Sequence, residues 1–90
     1  MLPKRLPAEP FARWLDEYSR VSGMGNAELA ACLGLVARRI QSYRYRHQAL
    51  VAFDVVDRAL LNAPRTIVVD DRPVFVVDDL YPWLEDLEAA

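Results

Sequence analysis

Ninety residues, 53% of them hydrophobic and 27% charged, suffice for one folded domain and are too few for two independent cores. That balance excludes a disordered chain, and no apolar run approaches the ~20 residues of a membrane span or forms a signal peptide, so a soluble cytoplasmic protein is expected. The single Cys32 excludes an internal disulfide, and within Leu-Ala-Ala-Cys-Leu it reads as a small core residue. The net charge of −2 conceals a division. Residues 1–69 carry ten basic against six acidic side chains, a net +4; residues 70–90 carry one against seven, a net −6. A basic body with an acidic tail is a common pattern of polyanion-binding proteins.

Residues 1–9 read as an N-terminal arm, in which Lys4 and Arg5 are placed to reach a minor groove. A first helix is expected from Pro10, suited to a first turn, to Ser22, with Phe11, Trp14, Leu15, Tyr18 and Val21 at helical spacing and Gly23 ending it. Asn26 is a good cap for a second helix, Ala27 to Leu33, broken by Gly34. A third helix should span Val36 to Arg46, and a fourth Asp54 to Asn62, stopped by Pro64. The runs Thr66–Val69 and Val74–Val77 flank Asp70-Asp71-Arg72-Pro73 and predict a β-hairpin. A short helix, Leu80 to Leu87, capped by Asp78 or Asp79, should close the chain. The expected fold is therefore mainly α with a C-terminal β-hairpin, an α+β domain. Its parts are the arm, a four-helix body over residues 10–63, and a hairpin with terminal helix over residues 64–90.

The second and third expected helices carry the functional signal. Ala30 is small where a following helix must cross closely, Gly34 permits a sharp turn with positive φ, and Ile40 anchors the next helix. With Leu29 and Tyr43 filling the core, this is helix-turn-helix spacing, whose second helix lies in the DNA major groove. The stretch NAELAACLGLVARRIQSYRYR resembles the helix-turn-helix of the lambda-repressor/Cro-like class, and is similar to small regulators encoded by phages of actinobacteria. The resemblance covers residues 10–62 and implies a DNA-binding regulator. One departure is Val36, which stands where that class has a Ser or Thr cap.

Helical geometry orders the third helix. With Ile40 inward, and about 100° of rotation per residue, Val36, Ala37 and Tyr43 fall on the buried side. Arg38, Gln41, Ser42, Tyr45 and Arg46 form the opposite face, which suits base edges: Arg to guanine, Gln to adenine, Ser to either. Val36 at the helix start suits a thymine methyl, Arg39 at the side suits phosphate, and Arg44, facing the core side, must snorkel or pair. A merely solvated face normally mixes signs, yet no acid occurs between Glu28 and Asp54.

Other groups carry less. His47 has no Cys or His partner at metal-ligand spacing, and Asp70-Asp71 and Asp78-Asp79 suit a loop and a helix cap better than a pair of catalytic carboxylates. Neither an enzyme nor a cofactor nor a small-molecule ligand is implied. Phe75, Tyr81 and Trp83 are expected to form an apolar surface for a second copy, giving a homodimer on double-stranded DNA. Two alternatives stand beside a repressor: a recombination directionality or architectural DNA-binding factor, and a protein-interaction module of antirepressor or antitoxin type that uses the acidic, aromatic tail.

Overall fold

Apolar residues at three- and four-residue steps give the longest helix its buried ridge. In the computed structural model, which describes residues 3–64 and 66–89, strand β1 (Arg5–Pro7) leads directly into helix α1 (Ala8–Ser22). Phe11, Trp14, Leu15 and Tyr18 are buried, while Arg13 and Arg20 face outward. Gly23 stops α1 at φ 74°, its N–H donating to the Ser19 carbonyl at 2.9 Å. Val21, expected in the apolar stripe, is instead exposed. Helices α2 (Asn26–Leu33) and α3 (Ala37–Arg44) follow, then strand β2 (Leu50–Ala52) and helix α4 (Phe53–Asn62). The C-terminal part consists of strands β3 (Ile67–Val69) and β4 (Arg72–Val74), a single turn α5 (Val77–Leu80), and helix α6 (Trp83–Ala89). The architecture is mixed α+β with an antiparallel hairpin. No described helix is long and apolar enough to cross a membrane.

Three differences from the expected architecture have clear causes. Residues 5–7 are not a free arm: Arg5, Leu6 and Pro7 pair antiparallel with Ala52, Val51 and Leu50. Leu6 and Val51 meet at the centre of this ribbon and are both buried, so the pairing is held by apolar burial. It also starts α1 two residues before Pro10, because the Ala8 N–H, an orphan of the first turn, finds the Ala49 carbonyl at 2.9 Å. Second, the strand expected over Val74–Val77 ends at Val74. An oxygen of Asp79 accepts the N–H groups of Phe75 at 2.7 Å and Val76 at 3.0 Å, turning the chain into α5. Third, the terminal helix is two pieces. Pro82 disfavours a helical conformation for Tyr81, whose φ of −130° and ψ of 72° separate α5 from α6.

The hairpin turns through Asp70 and Asp71, at φ 51° and 64°. Two successive left-handed residues match the twist of the flanking strands, and Asp tolerates that region better than most side chains. Val68 faces Pro73 in the non-hydrogen-bonded position next to the closing Val69–Arg72 pair, so the N–H that proline lacks is not missed. Ile67 and Val74 turn inward onto the body, and Arg13 of α1 holds the turn through Asp70 at 2.7 Å.

The two ends of the chain are joined at one point. The Tyr81 hydroxyl donates to the Pro7 carbonyl, 74 residues away, at the junction of β1 and α1. Burial pushes the phenol above its ordinary value of 10.0, against a smaller downward effect from a backbone hydrogen bond of Phe11, so the hydroxyl remains a donor. Replacing Tyr81 with Phe keeps the ring and removes the hydroxyl's hydrogen bond to Pro7. The expected loss is about 1 kcal/mol of unfolding free energy, read from the denaturant midpoint at unchanged m-value. An unchanged midpoint would mean that the ends are held together by apolar packing alone.

Candidate nucleic-acid interface

The link between α2 and α3 is built around Gly34. Its φ is 72°, a conformation open to glycine at little cost, and the next N–H, from Leu35, closes back on the Ala30 carbonyl at 2.9 Å. A Cβ here would lie 2.9 Å from Asn62 Nδ2, which itself donates to the Leu33 carbonyl at 2.9 Å. The end of α4 is thereby fastened to the end of α2. Val36 is extended at φ −86° and ψ 130° and provides no side-chain cap.

Burial sets the rotation of α3. Leu29, Ala30 and Leu33 of α2 are buried, as are Ile40 and Tyr43 of α3. The Tyr43 ring meets Phe11 edge-on at 5.6 Å, and Phe11 stacks on Trp14, so α3 leans on the aromatic ridge of α1. Arg38, Arg39 and Gln41 are left exposed, with Ser42 half-buried and Val36 58% exposed beside them.

The C-terminal end of α3 departs from expectation. The helix stops at Arg44, and Tyr45 follows, 61% exposed with its ring 6.0 Å from that of His47. Arg46 takes φ 60°. The Arg46 N–H reaches the Tyr43 carbonyl at 3.0 Å and the His47 N–H the Ser42 carbonyl at 2.9 Å, a Schellman ending with arginine where glycine is usual. Its guanidinium then points back to α1, reaching Asp16 at 2.8 Å and Glu9 at 3.1 Å. Arg46, expected on the outward face, is therefore bound within the protein. Arg44 is bound likewise, to Asp16 at 2.8 Å and to the Asn26 side chain at 2.7 Å. Asn26 is thus no cap: it opens α2 itself behind Gly25, and its amide oxygen serves Arg44. Partial burial pushes the Asp16 carboxyl up, but the hydrogen bonds and charges of Arg44 and Arg46 outweigh it and hold the group below its ordinary value.

The arginines thus divide into two sets. No carboxylate among the described residues pairs with Arg38, Arg39 or Arg5. These three meet at one depression of about 430 Å³ between α3 and the β1–β2 ribbon, together with Ser42, Gln48 and Leu50, and no acid lines it. The positions of Arg5 and Gln48 escape sequence reasoning, because they depend on two three-residue strands paired across more than 40 positions. The only local trace is an apolar residue between outward neighbours, as in Arg-Leu-Pro and Leu-Val-Ala.

Of the three aromatic residues expected at an interface, Phe75 is 64% and Trp83 43% exposed, with Val76 also open. Tyr81 is buried at 1%, because its hydroxyl is taken by Pro7, and it forms no part of that surface. Asp70 and Asp79 serve the hairpin turn and the start of α5.

Arg46 supports a discriminating test. Arg46→Gly removes both ion pairs but relieves the left-handed backbone, whereas Arg46→Ala removes the pairs and keeps the strain. Arg46→Ala is expected to be the less stable by about 1 kcal/mol in chemical unfolding; equal stability would mean that residue 46 is not held left-handed in solution. Comparison of the chain with protein-family models, with curated proteins and with solved structures gives no match.

Proposed function

We propose that the chain is a sequence-specific double-stranded DNA-binding regulator, with α2 and α3 acting as a helix-turn-helix and α3 entering the major groove. One observation carries this reading: α3 turns Arg38, Arg39 and Gln41 outward with no carboxylate partner among the described residues, in a molecule holding 13 acids. A solvated surface helix gains by interleaving opposite charges. A helix face kept free of acids, while Glu9, Asp16, Glu17 and Asp70 are paired with other arginines, is arranged for an external anion.

The side chains divide the work by chemistry. Arg38 and Gln41 read base edges, bidentate to guanine and adenine respectively; Ser42 assists from its half-buried place. Arg39 takes phosphate, Val36 offers a methyl contact to thymine, and Tyr45 stands at the exit of the helix. Arg46 belongs to the fold and not to this face. The effect is occupancy: a repressor of the phage Cro-like kind excludes polymerase from a promoter. A second copy docks through the exposed Phe75 and Trp83, giving two reading heads for one operator.

Binding-site selection from random duplex DNA tests all of this together. The expected result is a palindromic site with half-sites about 34 Å apart, bound with strong salt dependence. On that site, Arg38→Ala and Gln41→Ala should each cost about 1–3 kcal/mol and relax preference at one position. Enrichment of no sequence, with no salt-dependent affinity, would remove DNA binding and leave the apolar C-terminal surface as the functional one.

A further inference from the structure

Base reading falls to α3 alone, yet the depression beside that helix is lined from two sides. Arg38, Arg39 and Ser42 come from the helix, and Arg5 and Gln48 from the β1–β2 ribbon and its approach. We infer that the ribbon is a second DNA-contacting element, in which Arg5 takes a backbone phosphate of the strand whose adjoining major groove α3 occupies. This rests on the DNA-binding reading and extends it to a part of the chain outside the helix-turn-helix.

The geometry supports the assignment at each step. Strand alternation buries Leu6 and so turns Arg5 outward, toward α3 and its two free arginines. Three arginines line one depression that no carboxylate lines, so an anion entering it meets unpaired positive charge. A volume of about 430 Å³ admits a phosphodiester with its hydration, while the Ser42 hydroxyl and Gln48 amide add neutral hydrogen bonds. Arg5 is also pre-positioned. It is paired with Ala52 in the ribbon, Leu6 beside it is buried, and the Tyr81 hydroxyl holds Pro7 two residues on. Binding through a fixed strand avoids the ordering entropy that a loose arm gives up. A phosphate contact in this place carries no sequence information and sets the angle at which α3 enters the groove.

The test compares wild type, Arg5→Ala and Arg5→Lys on a duplex carrying the selected site, by affinity over a range of salt concentrations and by repeated site selection. Arg5 is exposed and unpaired among the described residues, so folding is expected to survive, and thermal unfolding checks it. The expected result is a log–log salt slope shallower by about 0.9 for Arg5→Ala, a wild-type slope for Arg5→Lys, and the same preferred sequence for all three. An unchanged slope in Arg5→Ala, with wild type still binding the site, overturns the inference and leaves the proposed function standing. A changed preference at positions flanking the site also overturns it, by making Arg5 a reader of the minor groove. Absence of salt-dependent affinity in wild type overturns both readings at once.

Discussion

Asp16 of α1 accepts Arg44 through one carboxylate oxygen and Arg46 through the other, and the placement of the arginine-rich helix depends on that pairing. The helix that buries Phe11, Trp14 and Tyr18 on one side carries Glu9 and Asp16 at its polar edge. Tyr43 docks on the apolar side and Arg44 with Arg46 on the polar edge, so α3 is fixed in rotation and in tilt by two unlike forces. Each exposed ion pair contributes little by itself. Here two guanidinium groups converge on one partly buried carboxylate, which makes the arrangement specific as well as attractive. The consequence is a sorting of a single arginine-rich run into side chains that belong to the fold and side chains that remain free.

The C-terminal part completes the platform. Tyr81 fastens the Pro7 carbonyl, Arg13 fastens the hairpin turn through Asp70, and the paired strands β1 and β2 stand beside α3. Among the described residues, Asp70 of this acidic part is tied to the basic body through Arg13, and no acid lines the free-arginine depression. The net negative charge of the molecule and a face of unpaired arginines are compatible because they occupy different places.

Much of the body was legible in the residues. The stripe Phe11–Trp14–Leu15–Tyr18, the break at Gly34 and the inward position of Ile40 are local patterns, repeated often enough to define a helix and its buried face. The remaining features are set by partners distant in the chain. Whether Arg46 points outward depends on Glu9 and Asp16, 37 and 30 positions away. The ribbon needs Leu6 to meet Val51, and neither three-residue strand has enough alternation to announce itself. Tyr81 looked like a surface aromatic because its phenol has a polar end; the Pro7 carbonyl that satisfies it cannot be seen from the neighbouring sequence. The strand expected over Val74–Val77 was lost to a side chain only a few residues on, the Asp79 carboxylate competing for its N–H groups.

The arginine run holds two populations, and under the proposed DNA-binding function their separation can be measured as the salt dependence of DNA affinity for Arg39→Ala beside Arg46→Gly. A free arginine facing phosphate releases a counterion when it binds, while one already bound to Asp16 and Glu9 does not. The slope should be shallower by about 0.9 for Arg39→Ala and unchanged for Arg46→Gly. An equal loss in both variants would place Arg46 on the DNA and contradict the division.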